Sequence, residues 1–132
     1  MNPQEALKKF KRIAVIGFSD NPNRESNIIG KYMSECGYIV YGINPKLGGK
    51  SIGKIACFSS LSELPEKVEI VNVFRNPEYL EVLIDEVLKL DYKPLVWTQL
   101  GVVNEKAKNK AIEHGLDYIE NKCIFIEQKR IF

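Results

Sequence analysis

The segment Arg12–Ser26, with the sequence RIAVIGFSDNPNRES, decides the fold. After Arg12 it is apolar and rich in β-branched side chains, with no polar alternation, which predicts a strand buried on both faces of a parallel sheet. The run stops at Gly17, and a polar loop leads to Ser26, where a helix can begin. A buried strand, a glycine turn and a helix in this order predict the first unit of an open α/β sheet.

Apolar strands and amphipathic helices alternate along the rest of the chain. Helix signals include Asn2-Pro3 and Asn76-Pro77, which place a capping side chain before proline, and Gly37 and Gly115, which favour helix ends. Residues 60–68 are expected to form a short helical segment or turn. We predict strands at residues 12–17, 38–44, 68–74, 94–99 and 117–121, and helices at residues 2–10, 26–37, from 76 onward and 104–115.

This alternation implies right-handed crossovers that place helices on both faces of the sheet. We therefore expect an α/β, Rossmann-like three-layer domain with a five- or six-stranded, mostly parallel sheet. The chain has 132 residues, of which 45% are hydrophobic, so a single domain spanning residues 1–132 can form one core.

Charge and hydropathy argue against a nucleic-acid-binding, secreted or membrane-spanning protein. The balance of 19 basic against 17 acidic residues gives a net charge of +2 without arginine-rich runs, which is a weak case for nucleic acid. The start of the chain is too charged for a signal peptide, and the apolar stretch Ile13–Phe18 is too short to span a bilayer. We expect a cytoplasmic protein.

The three cysteines, Cys36, Cys57 and Cys123, are far apart and lack metal-ligand spacing, so neither a disulfide framework nor a zinc site is predicted. Cys36 continues the apolar side of its predicted helix and is expected to be buried. His114 is the only histidine and lies at a helix end, where the helix dipole favours a cation. No metal site is expected.

Ligands of open α/β sheets bind outside the carboxyl ends of the strands, near the point where the strand order reverses. Gly17 permits the turn after the first strand, and Ser19 is small enough for backbone amides to approach a phosphate at the helix N-terminus. The second and third glycines of the dinucleotide pattern are absent, since Ser19 and Pro22 replace them.

The end of the second strand also departs from the dinucleotide pattern. NAD-binding domains usually have a carboxylate there for the ribose hydroxyls, whereas this chain has Asn44-Pro45-Lys46. Lys46 would attract a phosphorylated ribose, so the substitution favours a ligand other than NAD. Arg24 and Arg75 add guanidinium groups that can bind phosphate oxygens.

Four motifs occur in order along the chain: GFSDNPNRES at 17–26, INPK at 43–46, VFRNPE at 73–78 and WTQLGVVNE at 97–105. Together they resemble the small stand-alone CoA-binding domain family, which is related to the CoA-binding domain of the succinyl-CoA synthetase α subunit. The resemblance extends from about Lys11 to Ile126.

The resemblance implies that residues 17–21 wrap the pyrophosphate of CoA, with Arg24 and Ser26 close to the helix start, and that Lys46 binds the phosphates. It also implies that Phe74 and Arg75 line the adenine and pantetheine side, and that residues 99–101 lie near the pantetheine arm. The implied ligand is CoA or an acyl-CoA. The candidate binding residues are Gly17, Phe18, Ser19, Asp20, Asn21, Arg24, Ser26, Asn44, Pro45, Lys46, Phe74, Arg75, Gln99 and Gly101.

Some of these residues also have a purely structural interpretation. Gly17 can serve helix–strand packing alone, Lys46 can be an ordinary solvated lysine, and Phe74 can belong to the core. Arg75 lies between a buried strand and a capped helix, so its side chain is expected to face the crevice.

The resemblance transfers binding and not catalysis. CoA ligases assign acid activation and phosphoryl transfer to further domains, and this chain shows no paired carboxylates or Ser/His/Asp arrangement. We expect a CoA carrier, sensor or regulator that acts through an unidentified protein partner. The alternative is a small NAD- or nucleotide-dependent enzyme. A purely structural domain would leave the convergence of Ser19, Lys46 and Arg75 without a cause.

A thiol reaction is a further hypothesis. CoA ends in a thiol, and Cys123 follows the last predicted strand, so Cys123 is the candidate for a mixed disulfide with bound CoA. The other interpretation is an inert thiol in the core, which is the usual fate of free cysteine.

Overall fold

The computed structural model describes residues 1–131, and its centre is a seven-stranded sheet. The strand order is β3-β4-β2-β1-β5-β6-β7, and every neighbouring pair is parallel except the antiparallel pair β3 and β4. The strands are β1 (Arg12–Ile16), β2 (Ile39–Ile43), β3 (Ser51–Ile52), β4 (Ile55–Phe58), β5 (Ile70–Val73), β6 (Leu95–Thr98) and β7 (Tyr118–Ile119).

Helices cover both faces of this sheet, which is a Rossmann-like arrangement. On one face α5 packs against both α1 and α2, and on the other α3 packs against α4. Each face has its own hydrophobic core. The helices are α1 (Pro3–Lys9), α2 (Glu25–Glu35), α3 (Leu80–Leu88), α4 (Glu105–Glu113) and α5 (Ile124–Lys129), and two 3-10 turns lie at Leu61–Glu63 and Pro77–Tyr79.

The helix starts follow the asparagine signals of the sequence. The Asn2 side chain accepts a hydrogen bond from the Glu5 amide at 2.9 Å, and the Asn104 side chain accepts one from the Ala107 amide at 3.1 Å. Asn76 instead caps the 3-10 turn Pro77–Tyr79, which continues into α3. These caps satisfy backbone amides that have no partner inside the helix.

The sheet has seven strands rather than the predicted five or six. The two strands that the sequence pattern did not predict are β3 and β4. They form a hairpin in which Ile52 pairs with Ile55, and Gly53 in the turn has a φ of +61°. With two and four residues, β3 and β4 are too short to show a clear apolar alternation. Helix α5 was also missed, since it is only six residues long.

The cysteine expectation was wrong for Cys36, which is exposed at the C-terminal cap of α2. The helix ends at Glu35, so Cys36 no longer follows its buried side. Cys123 is only 6% exposed at the start of α5, which fits the interpretation as a core thiol. Within residues 1–131, no group of His, Cys, Asp and Glu side chains has the arrangement of a metal site. Over the same range, no helix has both the length and the hydropathy needed to cross a membrane.

Candidate functional site

The strand order reverses at β1, whose neighbours are β2 on one side and β5 on the other. A crevice at the carboxyl ends of these strands is the usual ligand position in such sheets. The structure brings together there the loop from Gly17 to Asn21, the segment Asn44–Lys46 and the segment Phe74–Arg75. The fourth segment, residues 99–101, follows β6, which is one strand further from β1.

Gly17 is required at the end of β1 for two reasons. Its φ of +84° lies in the left-handed region, and a Cβ at this position would be 3.0 Å from Cδ of Arg75. Its amide donates a hydrogen bond to the Ile43 carbonyl at 3.0 Å. The turn therefore joins β1 to the end of β2, and the Arg75 side chain lies directly over it.

Phe18, which lies in the segment expected to wrap the pyrophosphate, anchors the loop in the core through its ring. The ring is fully buried, and a Cβ at Gly42 or Gly30 would lie 2.6 or 2.9 Å from it. These two glycines open the space that the ring fills between β2 and α2. Only the backbone of Phe18 faces the carboxyl edge.

The rest of the loop is held by its own side chains. The Ser19 amide donates to Oγ of Ser26 at 3.1 Å, and the Asn21 amide donates to Oγ of Ser19 at 3.0 Å. Nδ2 of Asn27, a residue outside the predicted site, donates to the Ser19 carbonyl at 2.8 Å. Asn27 is 1% exposed, and its buried Oδ1 has no partner within residues 1–131. The only sequence signal for Asn27 was an amide side chain in the first turn of a helix that follows a polar loop.

The Asn44 side chain also forms hydrogen bonds to the backbone of neighbouring loops. Its Nδ2 donates to the Phe18 carbonyl at 2.9 Å, and its Oδ1 accepts from the Lys46 amide at 2.9 Å. This residue stands where a dinucleotide domain has its ribose-binding carboxylate. Both ends of the Asn44 amide are bonded to the protein, so this side chain shapes the loops on either side of it.

Three basic residues lie on the segments that meet at the crevice. Arg24 and Lys46 are exposed, and Arg75 is half-buried with its guanidinium carbon 5.1 Å from the centre of the Tyr79 ring. None of the three lies within 4.0 Å of a carboxylate of residues 1–131, where the ion pairs use Arg12, Lys108, Lys110 and Arg130. The side chain of Arg24, at the N-cap of α2, makes no capping hydrogen bond. Arg24 therefore places a cation without an ion-pair partner at the N-terminus of α2, where the helix dipole also favours an anion.

A cleft of about 170 Å³ opens beside Arg75. Its apolar lining includes Pro45, Tyr79 and Val82, and the last two are exposed by more than half. Ser59, Ser60 and Glu86 provide polar groups. The cleft thus has an aromatic ring and a proline next to a guanidinium, with Pro45 and Arg75 among the residues expected to bind.

At the end of β6, Gln99 and Gly101 are fixed by neighbouring segments. Gln99 is 3% exposed, and its Oε1 accepts from the Ile124 amide at 2.9 Å, while its Nε2 has no partner within residues 1–131. The Gly101 amide donates to Oδ1 of Asn121 at 2.8 Å. Asn121 has a φ of 57° and was also missed, although Asn is among the few residue types that adopt this conformation.

Two further candidates take different positions. Phe74 is half-buried and packs against the hydrophobic core on the α1, α2 and α5 face. Asp20 is exposed in the loop, and the structure gives it no partner within residues 1–131. His114 lies outside the site at the end of α4, with Nδ1 2.8 Å from the Lys110 carbonyl.

The comparisons with known proteins agree with this geometry. The chain is 40% identical over 121 residues to the uncharacterized protein YneT of Bacillus subtilis (strain 168), covering 92% of this chain and 87% of that protein. It is 35% identical to a Thermus thermophilus protein of known structure, with a TM-score of 0.92 and full coverage of both chains. A structure from Pyrococcus horikoshii OT3 is 34% identical, has a TM-score of 0.88, and covers 99% of this chain and 92% of its own.

The family model described as CoA binding domain matches residues 11–129. This range contains all four ordered motifs and every segment that forms the carboxyl edge. The loop after β1, the basic side chains around it and a match over most of the sequence all support one assignment: this chain belongs to the family of CoA-binding domains.

Proposed function

We propose that residues 1–132 form one CoA-binding domain that holds CoA or an acyl-CoA at the carboxyl ends of the strands. We further propose that it acts as a carrier, sensor or regulator through a protein partner and has no catalysis of its own. The family assignment supports CoA as the ligand.

One observation carries the proposal: Arg24, Lys46 and Arg75 lie on the segments that follow β1, β2 and β5, and none of them has a carboxylate partner within residues 1–131. CoA has a pyrophosphate and a ribose 3′-phosphate, which need several cations and amide donors. We assign the backbone of residues 17–21 and Arg24 to the pyrophosphate. Lys46 is assigned to the 3′-phosphate.

The cleft beside Arg75 fits one end of such a ligand. Its volume of about 170 Å³ is below the roughly 300–1,000 Å³ of pockets that enclose a whole drug-sized molecule. We assign the adenine to this cleft, where Pro45 and Tyr79 offer flat apolar surface and Arg75 a cation. The pantetheine arm then extends past Phe74 toward Gln99 and Gly101.

Binding without catalysis is supported by how the polar side chains of the loop are used. The hydroxyl oxygens of Ser19 and Ser26 each accept a hydrogen bond from a backbone amide of the loop. Neither hydroxyl donates a hydrogen bond to a side-chain base within residues 1–131, whereas an activated hydroxyl nucleophile donates its proton to a base that a third group orients.

A thermal-shift series with CoA, dephospho-CoA, acetyl-CoA, NAD and ATP tests the ligand. A ligand that binds only the native state stabilises it by about 2.7 kcal/mol at a hundred times Kd. We expect CoA and acetyl-CoA to raise Tm clearly more than NAD, because Asn44 replaces the ribose-binding carboxylate. A larger response to NAD would contradict the assignment and favour the nucleotide-dependent enzyme.

A further inference from the structure

The segment that connects β6 to α4, residues 99–104, presents two aliphatic side chains to solvent. Leu100 is 57% exposed, and Val103 is 47% exposed. Val102, which lies between them, is only 7% exposed and packs in the core on the α3 and α4 face. The segment leaves the carboxyl end of β6, so both exposed side chains lie at the edge of the sheet where we place the ligand.

Hydrogen bonds fix the backbone of this segment. The Val102 amide donates to the Gln99 carbonyl at 3.0 Å, which closes a turn with a φ of +82° at Gly101. The Gly101 amide donates to Oδ1 of Asn121 at 2.8 Å, and Nδ2 of Asn104 donates at 3.1 Å to a carbonyl of the 3-10 turn after β5. The aliphatic side chains are therefore exposed on a held backbone and not on a loose loop.

The residue types at the exposed positions are unusual for a surface turn. Turns mostly contain Gly, Pro, Asn, Asp and Ser, and this one has leucine at its second position. Single apolar residues are common on protein surfaces, as Ile112 on α4 illustrates with 52% exposure. Leu100 and Val103 differ from it, because they share one fixed segment at the edge where the ligand is placed.

The position of the segment matches the reach of the pantetheine arm of CoA. Two strand spacings of about 4.8 Å separate β1 from β6, so the segment starts roughly 10 Å from the loop that we assign to the pyrophosphate. The arm has about twelve bonds in line between the pyrophosphate and the sulfur, as in a peptide of about four residues, which spans at most roughly 14 Å. The sulfur end of the arm therefore reaches residues 99–104 and extends little beyond them.

We propose that Leu100 and Val103 cover the aliphatic acyl group of a thioester, so that the preferred ligand is a short-chain aliphatic acyl-CoA and not free CoA. The inference rests on the proposed function, because the arm must follow the carboxyl edge to bring a thioester to this segment. Free CoA ends here in a thiol and leaves both side chains in water. An acyl chain removes its own apolar surface and theirs from water, which is favourable in proportion to the area buried.

Calorimetry on the full chain with CoA, acetyl-CoA, butyryl-CoA and hexanoyl-CoA measures the contribution of the acyl group. Complete burial of one methylene increases affinity about fourfold, and a chain covered on one side should gain about twofold per methylene. We expect hexanoyl-CoA to bind about 15-fold more tightly than acetyl-CoA, with a more negative heat-capacity change of binding. Succinyl-CoA has the chain length of butyryl-CoA but ends in a carboxylate, so it should bind no better than acetyl-CoA.

Variants test whether this segment provides the gain. The double variant Leu100→Ser with Val103→Thr removes the aliphatic surface, so the ratio of the acetyl-CoA Kd to the hexanoyl-CoA Kd should fall to about threefold or less. Ile112→Thr changes a similarly exposed position on α4 and should keep the ratio of the native chain. Each ratio is taken within one variant, so a change in binding of the CoA part cancels. Circular dichroism checks that each variant is folded.

The outcomes separate this inference from the proposed function. Binding of CoA and hexanoyl-CoA with equal affinity would overturn the inference, leave the proposed function intact and make the segment a surface for a protein partner. Tighter binding of succinyl-CoA than of butyryl-CoA would also overturn it. A chain-length gain that is kept in the double variant and lost in Val82→Thr would place the acyl group in the cleft beside Arg75 instead. Failure of every CoA compound to bind would overturn the proposed function together with this inference.

Discussion

Two groups of residues meet at the carboxyl edge of the sheet, and the structure uses them in opposite ways. The first group, which we call the floor, bonds to the chain's own backbone or fills its core. The second, the rim, carries charge without a carboxylate partner within residues 1–131. The floor consists of Phe18, Ser19, Ser26, Asn27, Asn44 and Asn121, and the rim consists of Arg24, Lys46 and Arg75.

The difference shows how a loop without the three-glycine pattern can still present amides to an anion. A glycine-rich loop gains close backbone approach from missing side chains, whereas this loop uses Ser19, Ser26 and Asn27 to fix its backbone. Floor and rim therefore predict different phenotypes. Floor substitutions should lower the free energy of unfolding, and rim substitutions should lower affinity alone.

The largest effect is expected from Phe18→Ala. The ring is fully buried in space left by Gly30 and Gly42, so its loss should lower the free energy of unfolding by about 3–5 kcal/mol, as measured by urea denaturation. Ile112→Ala is a matched control, since Ile112 is 52% exposed and its loss should change stability by less than about 0.5 kcal/mol. Normal stability of the Phe18→Ala protein would contradict the assignment of Phe18 to the floor.

Phe18 also marks the limit of what the sequence could reveal. The strand Arg12–Ile16 and the asparagine caps follow from local patterns, and the parallel topology then identifies which strand ends meet. The direction of the Phe18 ring depends on Gly30 and Gly42, which lie on other elements. No local pattern connects three such positions, so the sequence alone could not show where the ring lies.

The hydrogen bonds made by the floor residues could not be predicted from the sequence for a related reason. The Asn121 side chain holds Gly101 across 20 positions of the sequence, and Asn44 reaches Phe18 across 26. Polar residues after strands can bind either a ligand or a neighbouring loop, and only the packed structure separates the two uses. The direction of the Arg75 side chain was easier to predict, because a strand on one side and a capped turn on the other leave it few directions.

The sharpest test of the rim is Arg75→Ala. Arg75 lies over Gly17 beside the proposed adenine cleft, so loss of one charge-assisted contact should weaken CoA binding by about 1.5–3 kcal/mol in calorimetry. The fold should be unaffected, since Arg75 has no ion pair to lose. Arg130→Ala, which removes an exposed arginine away from this edge, should bind CoA normally. Unchanged affinity in Arg75→Ala would place this residue outside the site.

Asn121 tests whether the floor extends to the end of β6. Its φ of 57° is unfavourable for alanine by about 1–2 kcal/mol, so Asn121→Ala should lower the free energy of unfolding by about that amount in urea denaturation. Asn121→Gly is the matched variant because it keeps the conformation and loses only the bond to Gly101. Equal losses in the two variants would show that the hydrogen bond, and not the backbone conformation, carries the effect.

The smallest effect is expected from Lys46→Ala, and it separates two positions on the ligand. Lys46 is exposed, and its backbone is held by Asn44, so the fold should not change. An exposed ion pair contributes about 0.2–1 kcal/mol, and added salt weakens it. If Lys46 meets the 3′-phosphate as proposed, calorimetry should show a loss of this size for CoA and almost none for dephospho-CoA, which lacks that group. Raising the salt concentration should reduce the difference between the two ligands in the native protein and leave it unchanged in Lys46→Ala. Equal losses for both ligands would instead assign Lys46 to the pyrophosphate, which both contain.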